Sequence, residues 1–359
     1  MTILGYLKKN QATFEESPLN NADALVASWM AYFDFSHVKD QLPFKVSDFK
    51  YLHEYQTLEP YYTAFMPRFS RRFMRRMVAS RRFNESELLE YEYVIDRIKG
   101  VQFAVIALKC ADDIIVAVRG TDPSFCGWKE DFTMSYKDTI SSYVLAEAFV
   151  KRLLRKHRKE NIVLCGHSKG GNICTYLLSV LPDVSRIKKV YSFDGPGFRN
   201  TGLFSGKEDR LEKHFKVVPK SSVVGVLFSN QTEVKIIKSR NFLLLQHNPF
   251  EWLIKDNDFV YVNKRSMSSR YLEKSLNAWI ESLDTKDRER FTEIVFSELD
   301  KFQAEDVNVF LRRLFLQVGP VWKAYHKLNK EDKEIVKRVI KRLLKSLMRP
   351  KKVKEISLA

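Results

Sequence analysis

Between Asn161 and Leu181 the chain reads NIVLCGHSKGGNICTYLLSVL: an apolar run, two glycines around a serine, then residues at helical spacing. Few local arrangements fit that order. A strand must end near Cys165, the chain must turn where Gly166 and Gly170 leave room for close backbone approach, and a helix must open at about Lys169. Ser168 then projects beyond the carboxyl end of the strand and is a candidate nucleophile.

The surrounding pattern fits such a turn. VQFAVIALK and DIIVAVRG read as two β-runs joined by Cys-Ala-Asp, short enough to be antiparallel neighbours. Ser141 to His157 has helical spacing, and KKVYSFD and HFKVVP follow as further strands. Strands alternating with helices at this interval imply right-handed crossovers and a mainly parallel sheet flanked by helices, an α/β core. Changes of pattern divide the chain into a mostly helical segment over 1–90, the core over 91–283, a helical extension over 284–348 and a basic tail over 349–359. The arginine-rich stretch Arg71 to Arg82 reads as a solvated helix face, with Phe73, Met77 and Phe83 as its buried side.

Charge is unevenly placed. The chain carries a formal net charge of +17, but thirteen Lys or Arg stand against three acids between Lys323 and Lys354 alone. The rest is too weakly basic to indicate a nucleic-acid partner, and none is expected. Asn329 is placed to cap a basic amphipathic helix with Ile335, Val339, Ile340 and Leu344 on its apolar stripe. Docking on the protein's own core is the expectation for this helix, and peripheral contact with an anionic membrane the alternative. No run of 18 apolar residues and no secretory leader pattern is present, so the chain reads as cytoplasmic, at most membrane-peripheral. The four cysteines lack zinc-ligand spacing, and neither a metal nor a cofactor is expected.

A serine hydroxyl needs a base, an orienting acid and a site for the oxyanion. Among the histidines that follow Ser168, His214 opens a strand and His326 lies in the basic region, whereas His247 sits in QHNPFEW, suited to a loop at the sheet edge; it is the candidate base. After HFKVVP, where an acid is usual, the chain reads KSSVVG with Ser222 and no carboxylate. Asp194 in YSFDGPGF is the candidate acid, with Asp183, Glu208 and Asp209 as lesser ones. Oxyanion donors are expected from the backbone amides of Lys169, at the helix start, and Thr121 in VAVRGTD. Arg119 and Asp122 read as an ion pair fixing that loop, and His167 as structural.

RGT after a strand, GHSKGG, and a strand ending near Gly-Pro resemble the class three lipase branch of the α/β-hydrolases. The longer set LNNADALV, RGTDPSFCGWKEDF, GHSKGGN, FDGPGF, SSVVG, QHNPFEW and AWIESLDTKDRERF resembles most closely a bacterial lipase-like domain family, from about Leu19 to Leu314. The resemblance implies an α/β-hydrolase fold with helical additions at both ends, and an RGT loop contributing to the oxyanion hole. Pancreatic-type lipases carry the acid after this same earlier strand, which supports Asp194. The expected function is a serine hydrolase cleaving carboxylic esters, with a small ester or lipid as substrate. The alternative is a hydrolase-fold binding or regulatory protein with weak turnover.

Overall fold

The computed structural model describes residues 1–51, 67–301 and 319–348; the tail over 349–359 lies outside them. Eight strands form one sheet: β1 (Phe44–Lys45), β2 (Glu87–Asp96), β3 (Val101–Cys110), β4 (Asp113–Val118), β5 (Asn161–His167), β6 (Ile187–Phe193), β7 (His214–Pro219) and β8 (Val234–Ile237). Their spatial order is their chain order. The first four pair antiparallel, and β4 through β8 run parallel, with Val116 beside Leu164 and Leu164 beside Val190. This is an α/β core built on a mainly parallel sheet. Strand β2 is not among the strands anticipated from the sequence, because its tyrosines and glutamates leave it half-buried rather than apolar.

The consecutive order decides how the sheet is covered. Right-handed crossovers that always advance the same way put their helices on one face. There α5 (Ser141–Lys156) and α6 (Lys169–Val180) bury Phe149, Val150, Ile173 and Leu177 against Val116, Ile162 and Leu164. The opposite face, carrying Ile106, Ile115, Val163, Cys165 and Phe193, has no crossover helix to cover it. The N-terminal helices α1 (Ile3–Lys9), α2 (Asn21–Met30) and α3 (Pro67–Val78) take that place.

Helix α2 lies deepest. Its start is fixed by a capping box: Asn20 accepts from the amides of Ala22 and Asp23, and Asp23 accepts from the Asn20 amide. Ala22, Ala24 and Ala27 keep the helix thin enough to lie against β4 and β5. Asp23 then binds Arg82 through both carboxylate oxygens, at 2.5 and 2.7 Å, with both side chains fully buried. Arg82 also donates to four backbone carbonyls, including Ala12 and Pro18. The solvated-face reading of the arginine stretch therefore fails at Arg82, the cation that closes the N-terminal layer.

At the carboxyl end of the sheet, α4 (Phe125–Thr133) packs on α8 (Thr285–Lys301), and α7 (Met267–Ser282) lines a cavity with them. Phe132 of α4 packs on Phe296 of α8, with ring centroids 5.5 Å apart. The C-terminal helix, Lys330–Met348, is capped by Asn329 as anticipated and docks on α7 and α8, not on the sheet. Ile335 and Val339 join Leu283 and Ile294 in a small separate core. Two bidentate pairs fix it from the side: Arg338 with Asp287, and Arg290 with Asp332. Arg338 stays exposed even while paired, as its place opposite the apolar stripe implies, and Ile340, Leu344 and Met348 are exposed as well. Among the described residues, no helix is long and apolar enough to cross a membrane.

Candidate active site

Strand β5 ends at His167, α6 begins at Lys169, and Ser168 alone makes the turn between them with φ 57° and ψ −130°. A residue with a side chain rarely adopts such a backbone, so the surrounding structure has to hold it there. The two flanking glycines allow it. A Cβ at Gly166 would stand 2.2 Å from the carbonyl carbon of Gly170, and one at Gly170 would stand 2.1 Å from the Val118 carbonyl oxygen. The Ser168 amide is tied to the Phe193 carbonyl at 2.9 Å.

Asp194 follows β6, fully buried, with φ 51° and its amide on the Val217 carbonyl. Oδ2 meets His247 Nδ1 at 2.7 Å. Oδ1 accepts from Ser222 Oγ at 2.5 Å and from the Gly225 amide at 3.2 Å. Each carboxylate oxygen is thereby engaged, as a buried charge requires. Ser222, at the position where the sequence lacks an acid, donates to the carboxylate that is present. The lesser acid candidates lie elsewhere: Asp183 bonds the Ser185 amide and Glu208 the Gly206 amide, both at exposed turns. His214 is held between Thr175 and Thr232, and His326 packs on Trp322.

His247 ends a short 3-10 turn, Leu243–His247, that would be free to shift if its backbone were not held. His167 supplies the hold. Its Nε2 lies 2.8 Å from the His247 carbonyl oxygen, and its Nδ1 lies 3.0 Å from the Tyr32 hydroxyl. Burial, with a smaller effect from His247, pushes the His167 pKa well below the usual histidine value. The ring is then neutral, with Nε2–H donating to the carbonyl and Nδ1 accepting from Tyr32. Trp252 Nε1 adds a 2.7 Å bond to the neighbouring Gln246 carbonyl.

The loop after β4 comes close to Ser168 because it carries a glycine: a Cβ at Gly120 would stand 3.1 Å from Ser168 Cβ and 2.2 Å from the Tyr32 hydroxyl. Arg119 and Asp122 form the anticipated ion pair at 3.3 Å. Among the described residues, the amides of Thr121 and Lys169 donate to no protein acceptor. The Lys169 side chain turns inward to Glu130 Oε2 at 2.7 Å and to the carbonyl and side-chain oxygens of Gln102. Thr121 Oγ1 donates to both oxygens of Asp131, at 2.7 and 2.9 Å. Burial pushes Asp131 up to about 6, against the opposing pull of Lys169. Glu130 and Asp131 are site residues that sequence reasoning missed. The available signal was two consecutive acids inside the otherwise amphipathic segment SFCGWKEDF.

Ser168, His247, Thr121, Lys169 and Asp131 all line one cavity of about 670 Å³. Its remaining wall is largely apolar: Trp29 beneath, Trp128 and Phe132 from α4, and Leu276, Trp279 and Phe291 from α7 and α8. That volume lies within the usual range of small-molecule sites. Among the described residues, no cluster of side chains is suited to a metal ion.

No curated protein matches the sequence. Parts of the chain are similar in structure to fungal proteins. A mutant form of MDLA from Penicillium cyclopium aligns at 14% identity over 50% of this chain and 70% of its own, with a TM-score of 0.36. The Lip2 lipase from Yarrowia lipolytica aligns at 14% over 49% and 82%, TM-score 0.33. Lipase II from Rhizopus niveus aligns at 14% over 55% and 83%, TM-score 0.35. The model of the Mbeg1-like family matches residues 77–297, a span from α3 to α8 that contains the Ser168 cavity except for Trp29 and Tyr32, and the protein belongs to that family.

Proposed function

We propose that the protein is a serine hydrolase that cleaves carboxylic esters through an acyl-enzyme at Ser168. Ser168 Oγ attacks the ester carbonyl carbon while His247 Nε2 takes its proton. The oxyanion that forms is held by the Thr121 and Lys169 amides. As the bond to the alcohol oxygen breaks, His247 returns the proton to the departing alcohol. Water, deprotonated by the same imidazole, then releases the acid and restores Ser168. Asp194 orients His247 and stabilises the imidazolium, and Gly166 and Gly170 form the nucleophile elbow. The carrying observation is that a strained serine, a 2.7 Å His247–Asp194 contact and two unoccupied amides open on one apolar cavity. The reaction asks nothing of a cofactor.

Among the described residues Ser168 and His247 share no hydrogen bond, and a contact of this kind often tightens only with substrate bound. The apolar wall fits an acyl chain, so a lipid or similar ester is the substrate in this reading. Exposed Ile340, Leu344 and Met348 beside Lys341 and Lys345 give the C-terminal helix the character of a surface that approaches anionic lipid, on the cytoplasmic side. The test is intact mass after treatment with a fluorophosphonate. One adduct on the wild type and none on Ser168→Ala is the expected result; a folded wild type that takes up no probe would refute the activated serine.

A further inference from the structure

Several arginines around the C-terminal helices are matched by carboxylates. Arg290 is bidentate with Asp332, Arg338 is bidentate with Asp287, and Arg199 pairs with Asp138 at 3.2 Å. Arg288, in the first turn of α8, differs. Its side chain lines the Ser168 cavity beside Ile280, Leu283 and Phe291. Nη2 donates to Thr285 Oγ1 at 3.2 Å and Nη1 reaches the Ile280 carbonyl only at 3.5 Å. Nε is buried and has no partner, and among the described residues no carboxylate stands within ion-pair distance of the guanidinium. Burial and then Arg199 both lower its proton affinity, with Asp284 opposing them, so the cation is undercompensated where it stands. A guanidinium kept charged in an apolar wall is costly unless something anionic meets it.

We infer that the cavity takes a single-chain ester whose alcohol part carries a phosphate, with the acyl chain on the apolar wall and the phosphate on Arg288. The inference rests on the cavity being the substrate site. Phosphate is the group because a planar guanidinium binds it through two parallel N–H bonds, and because a dianion meets a guanidinium that has no carboxylate of its own with more than a single charge. Asp131, the cavity's own acid, is bonded to Thr121 beside Ser168 and has no part among the charges that act on Arg288. A neutral alcohol would leave Nε as it is now.

The experiment uses ligands without an ester, so that it reads binding whether or not Ser168 is reactive. Calorimetry would compare dodecyl phosphate with 1-O-dodecylglycerol, below their micelle concentrations, on the full chain. Wild type should prefer the phosphate by about tenfold or more, as one charge-assisted pair would give. Arg288→Gln should abolish that preference, and Arg288→Lys should retain part of it. Lys341→Gln with Lys345→Gln, on the outer surface, should retain all of it. Dodecyl sulfate binding as tightly as the phosphate would replace phosphate with any single-charged anion and overturn the dianion argument. Equal affinities in wild type, no binding of either amphiphile, or a preference that survives in Arg288→Gln would overturn the inference. A missing fluorophosphonate adduct together with an Arg288-dependent preference would refute the hydrolase alone.

Discussion

Acidification from pH 7 to pH 5 should destabilise this protein through two histidines. Burial holds His167 well below the ordinary value of 6.5 and brings His214 down to about 3. In both, the folded state refuses a proton that the unfolded chain accepts, so stability is present above about pH 6.5 and is lost as pH falls below it. For one such imidazole, RT ln[(1 + 10^1.5)/(1 + 10^−0.5)] is about 2 kcal/mol over that interval, and the pair therefore costs about 4 kcal/mol. Asp131 acts in the opposite direction. Its folded form, held up to about 6, takes its proton first and returns about 1 kcal/mol. Lys216, which burial brings down to about 7, contributes only about 0.4 kcal/mol, again as a loss. Carboxylates held below their usual range, such as Asp34 and Asp287, are silent until lower pH. The net loss is about 3 kcal/mol, a large part of an ordinary domain's stability. Urea unfolding at the two pH values measures it. His214→Gln, which can still bond Thr175 and Thr232, should shrink the loss by about 2 kcal/mol. A protein equally stable at both pH values, or a His214→Gln variant with the full loss, would show that these rings are not held neutral.

Two further perturbations address the site and the N-terminal layer. Asp131→Asn removes a carboxylate that titrates near 6 beside the Thr121 loop, so ester hydrolysis by the variant should lose a step in its pH profile between about pH 5 and 7 that the wild type shows. An identical profile for both would detach Asp131 from the site. Arg82→Met leaves the Asp23 carboxylate buried without its cation and should cost about 3–5 kcal/mol in chemical unfolding; a loss below about 1 kcal/mol would mean that Asp23 is neutralised or rehydrated at little cost.

How much of this was legible follows from what each residue touches. The turn at Ser168 could be read because its constraint is local: glycine on both sides, a strand before, a helix after. His247 and Asp194 come together across 53 residues, and only the order of elements suggested their meeting. Ser222 looked like an absence in the sequence, since one chain position cannot reveal that its hydroxyl meets a carboxylate arriving from another strand. Arg82 resembled its exposed neighbours in the same stretch because nothing local marks the partner on α2. The extension over 284–348 read as helical, but which apolar stripe of α7 and α8 faces a cavity and which a neighbouring helix is a matter of tertiary packing. Strand β2 was missed because an edge-like strand rich in glutamate and tyrosine lacks the apolar continuity that reveals a buried one.

The placement of α2 also bears on how the molecule is made. Tyr32 reaches its partner His167 only 135 residues later, and the sheet face beneath α2 requires β4, β5 and β6. During synthesis the N-terminal helices emerge first and stay without their docking surface while more than a hundred further residues follow. Their apolar sides, Leu25, Trp29 and Met30 among them, are exposed for that interval. Long-range closure of this kind slows folding and leaves an aggregation-prone intermediate. Yield from a cell should therefore respond to chaperone supply during translation, and a copy lacking its first thirty residues should accumulate as insoluble protein rather than as a folded protein with an uncovered site.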